Sequence, residues 1–189
     1  MNDQKFSEVI GRQYQGALTM LRNAIACCPE NLWSDRSQNE APFWHHVMHT
    51  IFFTRLYCCE QFPSDQSFAT ASEFMVLVEG APLKDWSEAE RLRLRDSMGR
   101  VTEKDSTYPR VPGKSELLEY LDKTDANVAL SLAQIAADGS GDRGPIPWVP
   151  ESRADLLVYN LRHIQHHVGR LHSMLGRRGI KAKWVGGFS

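Results

Sequence analysis

The sequence carries almost no surplus charge. Its 22 Lys and Arg residues face 23 Asp and Glu, leaving a formal charge of -1, so nothing in the balance draws the whole chain to a phosphate backbone. The densest basic stretch, RRGIKAK with Arg177, Arg178, Lys181 and Lys183, reads as a solvated helix end favoured by the helix dipole. Long apolar runs are missing too, the longest tracts being interrupted well short of the ~20 residues that cross a bilayer. The first residues, MNDQKFSEVIGRQ, lack the cationic start, apolar core and small-residue cleavage site of a secretory signal. These absences predict a cytoplasmic protein that works on neither nucleic acid nor membranes. Cysteine is scarce and forms two adjacent pairs, Cys27 with Cys28 and Cys58 with Cys59. That is neither a CxxC redox motif nor a zinc-knuckle spacing, and the four read as small apolar side chains on helices.

Strand-like alternation, internal repeats and low-complexity tracts are likewise absent. Four long helical segments stand in their place. The first is predicted from about Ser7 to Cys28, with Val9, Ile10, Leu18, Leu21 and Ile25 in a helical period and Pro29 as its stop. The second runs from Pro42 to about Phe62, with Val47, Ile51, Phe52, Phe53 and Leu56 on several faces, as in a helix buried on most sides. The third starts at Ser115 as N-cap and continues toward Gly139. The fourth follows a capping-box pattern, Ser152 with Asp155, and ends at Gly179. Between the second and third lies a long excursion, roughly 63 to 112, with a short helix from Ser87. Residues 139 to 150, GSGDRGPIPWVP, form the clearest loop. At 189 residues, 42% hydrophobic and 24% charged, the chain fits one domain, 1–189, able to bury a core. The predicted class is all-α, a four-helix bundle with long crossover loops and a short extra helix.

All seven histidines fall in two places. His163, His166, His167 and His172 lie in NLRHIQHHVGRLHSMLGRRG, and His45, His46 and His49 in PFWHHVMHTIFF. On a wheel of 3.6 residues per turn, Leu156, Leu157, Leu161, Ile164, Val168, Leu171, Met174 and Leu175 make one apolar arc. His163 and His167 sit together at its edge, one turn apart, and point at a common spot. His166 and Arg170 lean to the polar side and His172 to the opposite margin. His45 and His49 are also one turn apart, and His49 lies among Phe52, Phe53 and Leu56. A buried helix therefore offers at least one imidazole to the same interior, with His45 and His46 as local competitors to His49. Converging neutral imidazoles without partners are costly, and a divalent metal relieves that cost by taking one nitrogen from each ring.

PFWHHVMHTIFFTRLY resembles the second helix of the DinB-like proteins, a helical-bundle superfamily that includes the YfiT-type metal-dependent hydrolases. HIQHHVGRL resembles their last helix, and the segment order, SELLEYL and the Gly179 ending fit as well. The resemblance implies an up-down-down-up bundle, often a homodimer. It also implies a three-histidine metal site carried over to His49, His163 and His167.

The residues between His163 and His167 are Ile164, Gln165 and His166, so the glutamate base of an HExxH protease is missing. A three-histidine metal, zinc or nickel as first choice, instead offers activated water or a deprotonated thiol. Characterised relatives include thiol-dependent transferases and isomerases. The resemblance thus implies S-transfer from a low-molecular-weight thiol to a small electrophile. A metal-dependent hydrolase and a non-catalytic, stress-related metal-binding module are the alternatives. Trp44, Phe53, Trp148 and Tyr159 are candidate apolar walls of a substrate pocket, and Arg162 and Arg170 candidate partners for a cosubstrate carboxylate.

Overall fold

The computed structural model describes residues 2–37, 41–58, 111–138 and 152–186. Helix α1 spans Asp3–Cys27, with the Asn2 side chain accepting from the Lys5 amide as its N-cap. This cap lies a turn before the predicted start, because the Asn2 side chain satisfies a free first-turn donor,. Pro29 ends the helix by forcing Cys28 out of the α region, to φ -68 and ψ 122,. Pro29 then caps a one-turn helix, α2 (Glu30–Trp33), too short for periodicity to reveal. Trp33 Nε1 donates to the Pro112 carbonyl at 2.9 Å, and Lys114 Nζ to the Cys28 carbonyl at 2.6 Å, tying α2 to the start of the next long helix but one.

Helix α3, Phe43–Cys58, buries twelve of its 16 residues, as its all-round apolar pattern predicts. Helix α4, Lys114–Asp138, starts one residue before the predicted N-cap. The Glu116 carboxylate accepts from the Gly113 amide at 2.9 Å, so the reciprocal half of a capping box forms around Gly113 instead of Ser115. Helix α5 spans Arg153–Gly176, and Ser152 caps it as expected, accepting from the Asp155 amide at 3.1 Å. Its C-terminus is a Schellman turn: Ile180 N–H donates to the Leu175 carbonyl and Gly179 N–H to that of Gly176, both at 3.0 Å,. Gly179 takes the left-handed φ of +72 that this turn requires,.

The described residues are thus all-α, with no strand among them. Helix α1 packs on α4 and α5, and α3 packs on the same two. The shared core includes Leu21 and Ile25 of α1, Val47 and Ile51 of α3, Leu121 and Ile135 of α4, and Ile164, Val168 and Leu171 of α5. Cross-links give directions. Arg22 meets Asp122 at 2.5 Å, while a Cβ on Gly11 would touch Leu132, so α1 and α4 run oppositely. Tyr14 donates to the Leu157 carbonyl at 2.8 Å and Asn23 to that of Lys183 at 3.3 Å, so α1 and α5 run the same way. Asn160 donates to the Thr54 carbonyl at 3.1 Å while His167 lies against His46, so α3 and α5 are antiparallel. The predicted short helix from Ser87, the rest of the long excursion through residue 110, the end of the second helix near Phe62, Cys59 and the loop that carries Trp148 lie outside the described residues.

Candidate metal centre

The antiparallel packing of α3 on α5 brings together histidines 114 positions apart in the chain. His163 and His167 face α3 because they stand one turn apart at the edge of the α5 apolar arc. On α3, hydroxyl-to-carbonyl bonds within the helix satisfy the buried threonines: Thr50 Oγ1 donates to His46 O at 2.6 Å and Thr54 Oγ1 to Thr50 O at 2.7 Å. Their polarity is thereby absorbed locally. His49 is the α3 histidine whose ring reaches the α5 pair, with centroids 5.2 Å from His163 and 4.6 Å from His167. His45 and His46 do not join that group; one ligand atom from each of His49, His163 and His167 lies within 4.8 Å of the others.

The nitrogens face inward. His163 Nε2 stands 3.3 Å from His49 Nε2 and 3.2 Å from His167 Nε2. A ring nitrogen has one in-plane position, holding either a proton or a lone pair, so both contacts cannot be well-aligned hydrogen bonds at once. A cation at the centre resolves the conflict by accepting all three lone pairs. The spacing suits it: with metal–nitrogen bonds of about 2.0–2.1 Å and tetrahedral angles, neighbouring nitrogens stand about 3.3–3.4 Å apart.

Protonation state favours the same reading. Burial, helped by the positive charge the other histidines would carry, pulls His167 down to about 3 and His49 well below the usual imidazole range. Burial, with His166 as the lesser cause, pulls His163 down to about 4. All three are therefore neutral at pH 7 and offer lone pairs. If Nε2 of each ring binds a metal, the ring proton sits on Nδ1 and calls for an acceptor. The Nδ1 atoms of His163 and His167 are buried without a hydrogen-bond partner among the described residues, as is His46 Nε2. Each such atom costs about 1–3 kcal/mol.

Other predicted site residues fall at varied distances. The Phe53 ring lies 4.5 Å from His49 and 5.6 Å from His163. Tyr57, one turn further along α3, stands 5.7 Å from Phe53 and 6.0 Å from His163. Sequence reasoning missed it, although its spacing from His49 and Phe53 was the available signal. Tyr159 packs edge-on to Tyr57 at 5.4 Å, and the exposed Arg162 guanidinium covers the Tyr159 ring at 5.5 Å. Trp44 is buried in the core and stacks on His45 at 5.5 Å. Arg170 is exposed, and its charge bears on His46 and His167. Trp148 lies outside the described residues. His166 is exposed, as the wheel predicts, and His172 is half-buried.

Of the three described cysteines, Cys28 and Cys58 are buried as their apolar reading expects, and Cys27 is half-buried with its thiol donating to the Asn23 carbonyl; burial pushes the Cys28 thiol up to about 12 despite the nearby Lys114 ammonium. No helix among the described residues is long and apolar enough to cross a membrane.

No curated protein and no solved structure matches the chain. The family described as the DinB superfamily does match, over residues 13–171. That range runs from the body of α1 into the last turns of α5 and contains all three converging histidines. The chain belongs to the DinB superfamily.

Proposed function

We propose that the chain is a metal-dependent S-transferase in which His49, His163 and His167 hold a divalent metal, zinc or nickel, and that it joins a low-molecular-weight thiol through its sulfur to a small electrophile. The observation that carries this reading is the Nε2 spacing of 3.2 and 3.3 Å, which matches one metal better than two aligned hydrogen bonds. Such a metal supplies, when bound, a water of pKa about 7 or a deprotonated thiol. In the transfer the thiol loses its proton, a carbon–sulfur bond forms, and the leaving group departs with the electrons of its bond to carbon. His49 and His163 keep part of their surface exposed while His167 is buried, so small molecules approach from the His49–His163 side.

The roles of the remaining residues belong to the same proposal. Phe53 and Tyr159, with Tyr57 between them, form an apolar wall beside the histidines. Arg162 and Arg170 meet the carboxylate of the thiol cosubstrate. The protein acts as one domain over residues 1–189, in the cytoplasm, as a homodimer, on small molecules and not on nucleic acid or membranes. The helix directions support an up-down-down-up bundle, and the near-zero net charge supports a small-molecule partner.

The test begins with elemental analysis of protein purified without a polyhistidine tag. Cobalt-substituted protein is then titrated with bacillithiol, mycothiol and glutathione, and turnover of a haloarene is followed. Saturable spectral change with one thiol, lost in His163→Ala, supports S-transfer. Ester or amide cleavage rising near pH 7 with no thiol effect moves the assignment to a hydrolase, and metal binding with neither activity moves it to a non-catalytic module.

A further inference from the structure

Resting on the reading of His49, His163 and His167 as metal ligands, we propose that His46 is the positioning residue that accepts the outer proton of His167. Two buried nitrogens on neighbouring rings lack partners among the described residues: His46 Nε2 and His167 Nδ1. The rings themselves lie 5.9 Å apart between centroids, tilted by 37°. Both side chains are more than nine-tenths buried, at 6% and 8% relative exposure, so bulk solvent does not serve these atoms.

Their chemistry is complementary. A histidine that binds metal through Nε2 carries its proton on Nδ1 and is a donor there, and such donors are met by an outer acceptor that fixes ring orientation. Neutral His46 with its proton on Nδ1 presents a lone pair on Nε2. The centroid separation is long for a direct bond between rings, so in this proposal the proton is accepted through one bridging water,. His46 stands one turn from Thr50 on the buried face of α3, where Thr50 Oγ1 holds its backbone carbonyl at 2.6 Å, so the helix at this point has a fixed register. His45, its neighbour, is half-buried and packs against Trp44, which makes it the natural control.

The experiment compares the full chain with His46→Phe, His46→Gln and His45→Phe. Zinc affinity is measured by competition with a chromophoric chelator, and helicity of the metal-free proteins by circular dichroism. Loss of an outer partner of this kind lowers metal affinity roughly 10–100-fold. That loss is expected in His46→Phe, which keeps a ring but no acceptor, with recovery to within a few-fold in His46→Gln and none needed in His45→Phe. In zinc-loaded full chain, nitrogen NMR should show His46 Nε2 as an unprotonated nitrogen and His167 Nδ1 as a protonated one protected from exchange. This measurement stands even if His46→Phe fails to fold. Unchanged zinc affinity in a folded His46→Phe overturns the inference and leaves the metal site intact, as does a protonated His46 Nε2. Equal losses in the Phe and Gln variants assign His46 to packing alone and also overturn it. A full chain that binds zinc no better than His163→Ala removes the metal reading itself.

Discussion

His163 occupies the middle of the histidine cluster, its Nε2 within 3.3 Å of both partners. His163→Ala should therefore abolish metal binding, a larger loss than the roughly 10–100-fold that follows removal of an outer partner. His166→Ala, at an exposed position on the same helix, should leave affinity within a few-fold; zinc competition titrations check both. The same rings make the metal-free protein sensitive to acid. Their folded pKa values, about 4 for His163 and His46 and about 3 for His167, lie below the roughly 6.5 of a free imidazole. As pH falls the unfolded chain takes up these protons first. Stability should hold above about pH 6.5 and fall progressively between about 6.5 and 4, with His167 extending the loss toward about 3. Urea unfolding of chelator-treated protein across that range is the measurement, and a flat profile between pH 6.5 and 4 would contradict it. Cys28, buried and with its thiol pushed up to about 12, should resist a thiol-specific reagent at pH 8 until the protein unfolds.

Helix α5 carries two of the three converging histidines and closes the core, and its ends are held by separate devices. At the C-terminal end Gly179 adopts φ +72, where a side chain strains the backbone. Gly179→Ala should destabilise by about 1–2 kcal/mol. Gly169 lies mid-helix, where an added Cβ meets no described atom within 4 Å. Gly169→Ala should instead stabilise by about 0.5–1 kcal/mol, because helical glycine gives up more chain freedom on folding. Urea denaturation of the two variants should show midpoints displaced in opposite directions. If both move the same way, the Schellman turn does not control the helix end.

The three histidines that could hold a metal come from both α3 and α5, so a metal bound there would link metal binding to tertiary stability. A ligand that binds only the folded chain stabilises it by about 2.7 kcal/mol at a free concentration 100 times its dissociation constant. Calorimetric scans should show the midpoint rising with zinc and returning on addition of chelator, with no rise in His163→Ala. A midpoint insensitive to zinc would mean that the three histidines do not hold the metal in the folded state.

Much of this architecture was legible because helical information is local. The 3.6-residue period placed the α5 arc and paired His163 with His167, and Ser152, Pro29 and Gly179 marked helix ends through short-range backbone chemistry. The DinB-like motifs likewise pointed to His49 before any packing was known. The residues of PFWHHVMHTIFF alone did not separate His49 from His45 and His46: α3 is buried on most sides, so no solvent face orients its wheel. Only the docking of α5 against one side of α3 decided which ring meets His163 and His167. That docking also set Tyr57 beside His163 and the His46 ring beside that of His167. These are contacts between segments more than a hundred residues apart, and spacing along one helix constrains where its own side chains point but not what stands opposite them.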